Sequence, residues 1–373
     1  LRAFAQVPST YYRWGAANRS VLRCVGECGV REKRGVGEKY IVKNLAIIGA
    51  GSWGTALAMV LAPRFERVRI WAYEADLVER MRASRENDVY LPGFRVPDNV
   101  EVHNDLASAL HDAQIVLGVM PSHLARGLYK EMTPHLDPAV HLVSATKGIE
   151  IGTLMRVSEV IREVIEPRFA PRVAVISGPT FAREVARGDP TALVVASLDR
   201  ELAESIQSAF SGPTFRLYTS PDPVGVEIGG AVKNVVAIGA GVCHGLGFGS
   251  NALAALITRG LAEISRLALA MGGHPKTLAG LAGLGDLVLT CTGELSRNRT
   301  VGLELAKGRK LPEIVSSMKM VAEGIKTTSA TVDLARQYQV EMPIAGQMHA
   351  MLHLGRSPKD AIRQLMERTL KGE

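Results

Sequence analysis

Short apolar runs recur through the first half of the chain and stop on glycine, serine, proline or a charged residue. They cover residues 45–48, 68–72, 115–120, 140–145, 173–176 and 192–196. Runs of this length, mostly apolar without alternation, predict interior strands of a sheet covered on both faces. Helical stretches lie between them, so the expected class is α/β with a doubly wound sheet. From about Pro223 the texture changes. Residues 226–242, 250–271, 297–307, 327–338 and 343–354 all read as helices rich in small residues, and Gly272-Gly273 closes the second at its C′ position. Glu323-Gly324 reads as a turn.

The first strand runs into Gly49-Ala50-Gly51-Ser52-Trp53-Gly54 and then into a breaker-free helical stretch. A strand, a tight glycine turn and a helix start are what a dinucleotide pyrophosphate requires. Gly49 permits the turn, Gly51 lets the phosphates approach the backbone, and Gly54 lets helix and strand pack closely. The second strand ends on Tyr73-Glu74. A carboxylate there can accept hydrogen bonds from the adenosine ribose, and it repels a 2′-phosphate, so NAD is favoured over NADP. The plain alternative is a solvated loop glutamate. The expected organisation is a Rossmann-type domain over residues 44–222 and an all-α domain over residues 223–373.

Charge changes the picture in one respect. The net charge of +7 invites a nucleic-acid reading, but residues 1–43 hold nine Lys/Arg against three Glu, which leaves the remainder nearly neutral. No basic face is expected on the fold, and no nucleic-acid partner. Residues 1–43 read as a disordered or spurious leader, with only a faint likeness to an organellar transit peptide. A hydrophobic fraction of 47% with 22% charged residues is that of a globular protein with a substantial core. No span of membrane length is evident; the nearest, around residues 252–271, carries Arg259, Glu263 and Arg266. Cys24 and Cys28 lack a second ligand pair, Cys243 and Cys291 read as buried thiols, and His349 and His353 read as a surface or packed pair, so no metal is expected.

Some polar residues stand out against their surroundings. Lys233 sits in an apolar, glycine-rich helix, where it either snorkels to the surface or works as a cleft ammonium with a lowered pKa that exchanges a proton with a carbonyl or alcohol oxygen. Lys147, at a strand's carboxyl end like Gly178, is a second cation for the same oxygen. Asp286 either orients Lys233, binds a substrate hydroxyl or caps a helix. Ser296-Arg297-Asn298 opens a helix and concentrates donors suited to phosphate, or is simply a capped helix start.

With these segments in view, the chain resembles the bacterial-type NAD(P)-dependent glycerol-3-phosphate dehydrogenase family over about residues 44–370. The carriers are GAGSWGTALA (49–58), SATKGIE (144–150), SGPTFAREVARGDPTA (177–192), EIGGAVKNVVAIGAG (227–241), GLGDLVLTCTGELSRNR (283–299) and VAEG (321–324). The resemblance implies a cofactor site of Ser52, Trp53, Lys147, Ala182, Arg297, Val321 and Glu323, beside Gly49, Gly51, Gly54, Tyr73 and Glu74. It implies substrate contacts at Lys147, Gly178, Thr180, Lys233, Asp286, Ser296, Arg297 and Asn298, with Lys233 as proton acceptor assisted by Lys147 and Asp286. Many members carry His or Arg where this chain has Tyr73-Glu74, which places NADP preference in doubt. The implied reaction interconverts dihydroxyacetone phosphate and sn-glycerol 3-phosphate for glycerophospholipid synthesis, in the cytoplasm, with a homodimer allowed. The alternatives are a 6-phosphogluconate or hydroxyacyl-CoA type dehydrogenase and a non-catalytic dinucleotide sensor.

Overall fold

The computed structural model describes residues 43–318, 322–370 and 372. Apart from Lys43, the expected leader lies outside the described residues, as do Cys24, Cys28 and Val321. The apolar runs become strands β1 (Asn44–Ile48), β2 (Arg67–Trp71), β3 (Glu86–Asn87), β4 (Leu91–Arg95), β5 (Val100–His103), β6 (Ile115–Gly118), β7 (His141–Ser144), β8 (Arg172–Ser177), β9 (Thr191–Ala196) and β10 (Phe215–Ser220). Eight of them form one sheet in the order β10-β9-β8-β7-β6-β1-β2-β5, and β3 pairs with β4 as a separate hairpin. Successive β1 residues serve opposite faces, as a two-residue period demands. Leu45 and Ile47 enter one core cluster, Ala46 and Ile48 the other. Helices therefore cover both faces.

The doubly wound expectation departs at one edge, where β9 runs antiparallel to β8. The only helix between them is Ala182–Arg187, six residues long. Such a helix spans roughly 9 Å, whereas a six-residue strand spans roughly 20 Å, so the chain is not carried back to the start of β8. The eleven-residue helix Arg200–Phe210 does make that return, and β10 lies parallel to β9.

The helical half is built around Pro223–Gly245, which is buried along nearly its whole length. Among the described residues it is this helix, rather than residues 252–271, that is long and apolar enough to cross a membrane, yet its apolar window is wholly covered by protein. Close approach explains its small residues. A Cβ on Gly241 would lie 1.9 Å from the Arg299 carbonyl oxygen, and one on Gly302 1.9 Å from that of Ile238. Helices Pro223–Gly245 and Arg297–Ala306 thus touch backbone to backbone.

Gly272 has the positive φ (89°) expected after helix Ser250–Ala270. The turn expected at Glu323-Gly324 is instead the start of helix Glu323–Gln337. Glycine is tolerated there because first-turn N–H groups have no partner within their helix, and the Gly324 N–H donates to Asn298 Oδ1 at 3.0 Å. Helix Pro358–Met366 was not anticipated, and helix Asp286–Thr292 only in the capping alternative for Asp286.

Candidate active site

The strand order reverses between β1 and β6, and the glycine turn leaves β1 at that point. In open α/β sheets ligands sit in the crevice at such a switch. Gly49 adopts φ +119°, and a Cβ on it would lie 2.2 Å from the Val119 carbonyl oxygen. A Cβ on Gly54 would lie 1.8 Å from the Gly49 oxygen, which locks helix Ser52–Leu61 onto the turn. Gly51 faces open space, with nothing within 4 Å of an added Cβ. That helix has no side-chain cap and no acidic residue in its first turn, so its N–H groups and dipole are uncommitted. Trp53 Nε1, in its first turn, is buried without a partner among the described residues. An open glycine face, an uncapped helix start and an orphaned indole donor fit a dinucleotide pyrophosphate. Gly51→Val is expected to weaken dinucleotide binding at least tenfold with little change in melting temperature. Titration by protein fluorescence checks this, and unaltered affinity would remove Gly51 from the cradle.

Tyr73 is 79% exposed just past β2. Glu74 beside it is half-buried, and its Oε1 accepts a 2.7 Å hydrogen bond from the Tyr90 hydroxyl, so the solvated-loop alternative does not describe it.

A second group of residues gathers where β7 and β8 end. Lys147 Nζ donates to the Gly178 carbonyl oxygen (2.8 Å), to Thr180 Oγ1 (3.2 Å) and to Asp286 Oδ2 (2.8 Å). Lys233, 5% exposed, donates to Asp286 Oδ1 and to Thr290 Oγ1 at 2.9 Å. It does not snorkel. Asp286 is fully buried and makes no capping hydrogen bond in its own helix, whose N-cap is Gly285. The capping alternative therefore fails, and the carboxylate is shared between two ammoniums. Burial lowers the Lys233 pKa to about 7; Lys147 pushes in the same direction and Asp286 opposes them. An amine poised there exchanges a proton at neutral pH, whereas an ordinary lysine holds it.

The far wall comes from the helical half. Ser296 Oγ accepts from the Arg299 N–H at 3.3 Å and so does cap helix Arg297–Ala306. The Asn298 amide is largely engaged: Nδ2 donates to Asn234 Oδ1 at 2.9 Å, and Oδ1 accepts from Gly324. Arg297 is exposed by area, yet burial lowers its pKa against the pull of Glu323. Crowding together with solvent contact is the environment of a cleft wall. Glu323 Oε2 accepts from Ser122 Oγ at 2.9 Å, and its Oε1 is buried without a partner among the described residues. A Cβ on Gly148 would lie 2.9 Å from Glu323 Oε2, so this wall meets the other one residue past Lys147.

Lys147, Gly178, Thr180, Lys233 and Asp286 thus form one contiguous cluster. Arg297 and Glu323 stand in a second group tied to it through Gly148, and Ala182 opens the helix that packs on the glycine-turn helix. The sequence reading missed Thr290, Asn87, Tyr90 and Ser122. Thr290 was findable, since it lies four residues past Asp286 on one helical face. Asn87 and Tyr90 sit in a two-residue strand and the turn after it, which have no periodicity, and Ser122 opens helix Ser122–Met132, whose pattern marks the helix but not the partner of its first residue.

Residues 44–203 match the family model for the NAD-dependent glycerol-3-phosphate dehydrogenase N-terminus, and residues 222–363 match that for its C-terminus. The chain belongs to the NAD-dependent glycerol-3-phosphate dehydrogenase family. Among its relatives, glycerol-3-phosphate dehydrogenase [NAD(P)+] of Koribacter versatilis is 59% identical over 329 residues, covering 88% of this chain and 98% of that protein. The protein of the same name from Syntrophotalea carbinolica is 53% identical over 330 residues, or 88% and 99% of the two chains. The crystal structure of glycerol-3-phosphate dehydrogenase from Coxiella burnetii superposes with a TM-score of 0.84 at 41% identity, covering 88% of this chain and all of that one. Both halves match this family rather than the 6-phosphogluconate or hydroxyacyl-CoA alternative, and family members use NAD(P).

Proposed function

We propose that this member of the family catalyses reversible hydride transfer between NAD(P)H and dihydroxyacetone phosphate, giving sn-glycerol 3-phosphate for glycerophospholipid synthesis. The observation that carries the mechanism is the buried Lys233–Asp286–Lys147 cluster at the carboxyl ends of β7 and β8. The bound dinucleotide supplies the hydride in reduction and takes it up in oxidation. Lys233, with a pKa near 7, gives its proton to the carbonyl oxygen as charge develops there, and removes it again from the alcohol in oxidation. Asp286 holds both ammoniums in place, and Lys147 adds positive charge toward the same oxygen. Arg297, with Ser296 and Asn298 at the same helix start, contributes donors for the substrate phosphate. The two walls, which meet at Gly148 and through Ser122 and Glu323, hold the ketone in place between them.

Within this reading Glu74 accepts from the adenosine ribose and favours NAD over NADP, Glu323 lines the cofactor, and the enzyme works in the cytoplasm, with a homodimer allowed. Steady-state turnover of dihydroxyacetone phosphate with NADH and with NADPH tests the activity; turnover with neither refutes it and leaves the dinucleotide-sensing alternative. Glu74→Arg is expected to move the kcat/KM ratio toward NADPH by at least tenfold, because it replaces repulsion of a 2′-phosphate by attraction. An unchanged ratio would separate Glu74 from the ribose.

A further inference from the structure

The β3–β4 hairpin stands outside the main sheet, yet two of its polar side chains reach both places where the adenosine half of the cofactor is proposed to lie. Asn87 is fully buried and donates through Nδ2 to the Ala50 carbonyl oxygen in the glycine turn (2.8 Å) and to Thr55 Oγ1 (2.9 Å). Three residues on, the Tyr90 hydroxyl donates to Glu74 Oε1 at 2.7 Å. The Tyr90 backbone N–H in turn donates to Asn87 Oδ1 at 2.9 Å, so the Asn87 side chain anchors the backbone that carries Tyr90. On the hairpin's second strand, Phe94 lies beneath the Arg183 guanidinium, 5.7 Å from its ring centre. Arg183 follows Ala182, another residue assigned to the cofactor. The hairpin therefore braces the pyrophosphate turn, the acidic residue after β2 and the start of helix Ala182–Arg187.

We infer that Tyr90 is a positioning residue that sets cofactor selectivity by holding the Glu74 carboxylate toward the adenosine ribose. This rests on the reading of Glu74 as the ribose partner and says how that carboxylate is kept in place. Glu74 occupies the N-cap position of helix Ala75–Ser84 without making a side-chain cap bond. Left free, an anion there is drawn back toward the helix's own first-turn N–H groups. Tyr90 takes Oε1 and leaves Oε2 for a ribose hydroxyl. It also removes side-chain freedom that binding would otherwise have to remove. Hydrogen bonding to Glu74 and burial raise the Tyr90 pKa to about 12, so the phenol remains a donor at neutral pH. A held carboxylate cannot swing away from a 2′-phosphate, so the same contact that favours NAD also penalises NADP.

The test is a double-mutant cycle on the full-length enzyme. Wild type, Tyr90→Phe, Glu74→Ala and the double variant are assayed for kcat/KM with NADH and NADPH, and their melting temperatures are recorded. Tyr90→Phe is expected to shift the NADH/NADPH ratio about tenfold toward NADPH, the lower end of what a hydrogen bond to a charged group contributes. The change should fall on the dinucleotide KM rather than on kcat. The double variant should show no larger shift than Glu74→Ala alone. A silent Tyr90→Phe beside an effective Glu74→Ala overturns the inference while leaving the ribose reading intact. A silent Glu74→Ala removes both. A lowered melting temperature with an unmoved ratio reduces Tyr90 to a structural contact, which also overturns the inference.

Discussion

Replacing Lys233 with alanine is expected to lower kcat for dihydroxyacetone phosphate reduction by about a thousandfold, within the range that general acid–base groups contribute, while dinucleotide affinity stays near wild type. The split follows from geometry: Lys233 sits with Asp286 and Thr290 in the helical half, whereas the glycine turn belongs to the sheet. The same residue gives the pH dependence a direction. With a pKa of about 7, Lys233 is protonated below neutrality and neutral above it. The reduction rate should fall as pH rises through about 7, because the amine must donate. The oxidation rate should rise over the same interval, because it must accept. Both inflections should be absent from the residual activity of Lys233→Ala. Near wild-type turnover in that variant, or wild-type profiles flat between about pH 6 and 8, would take Lys233 out of the chemistry. Stability carries the matching sign. Above about pH 7 the unfolded chain retains a proton that folded Lys233 has released, so this residue makes stability rise with pH toward its ordinary value of 10.5.

The second large effect is expected at Asp286. Its two carboxylate oxygens serve Lys147 and Lys233 separately, and its side chain is 1% exposed. Asp286→Ala leaves two ammoniums facing each other across a desolvated gap. Removing one partner of a buried ion pair costs about 3–5 kcal/mol when the remaining charge cannot be neutralised. Here it can be, because Lys233 releases its proton more readily once Asp286 no longer opposes burial and Lys147. The loss of stability should therefore be largest at about pH 6 and shrink toward about pH 9. Reduction activity at neutral pH should fall with it, since less Lys233 is protonated. Denaturant unfolding at the two pH values checks this. A pH-independent loss would mean that Asp286 acts through packing alone.

Glycine and lysine were informative in the sequence for the same reason: each violates its surroundings at a cost that requires explanation. Three glycines between an apolar strand and a helix have no packing rationale of their own, and the structure accounts for each by a carbonyl oxygen too close for a side chain or by an open face. A lysine in a run of small apolar residues is costly unless paired, and it is paired. Alternation of apolar runs with helical stretches likewise defined the α/β class and the later helical half, because burial periodicity is written locally along a strand or helix.

Partnership is not local, and tertiary structure decided it. Nothing in the neighbourhood of Asp286 distinguishes a cap from a shared counter-ion; that depends on Lys147 and Lys233 arriving 139 and 53 residues away in the chain. The antiparallel β9, the membrane-length helix buried as a core, and the Asn87–Tyr90 clasp were equally illegible. Each is set by what the rest of the chain brings alongside. The sequence by itself determined which residues had to be explained, and the fold determined what each of them faces.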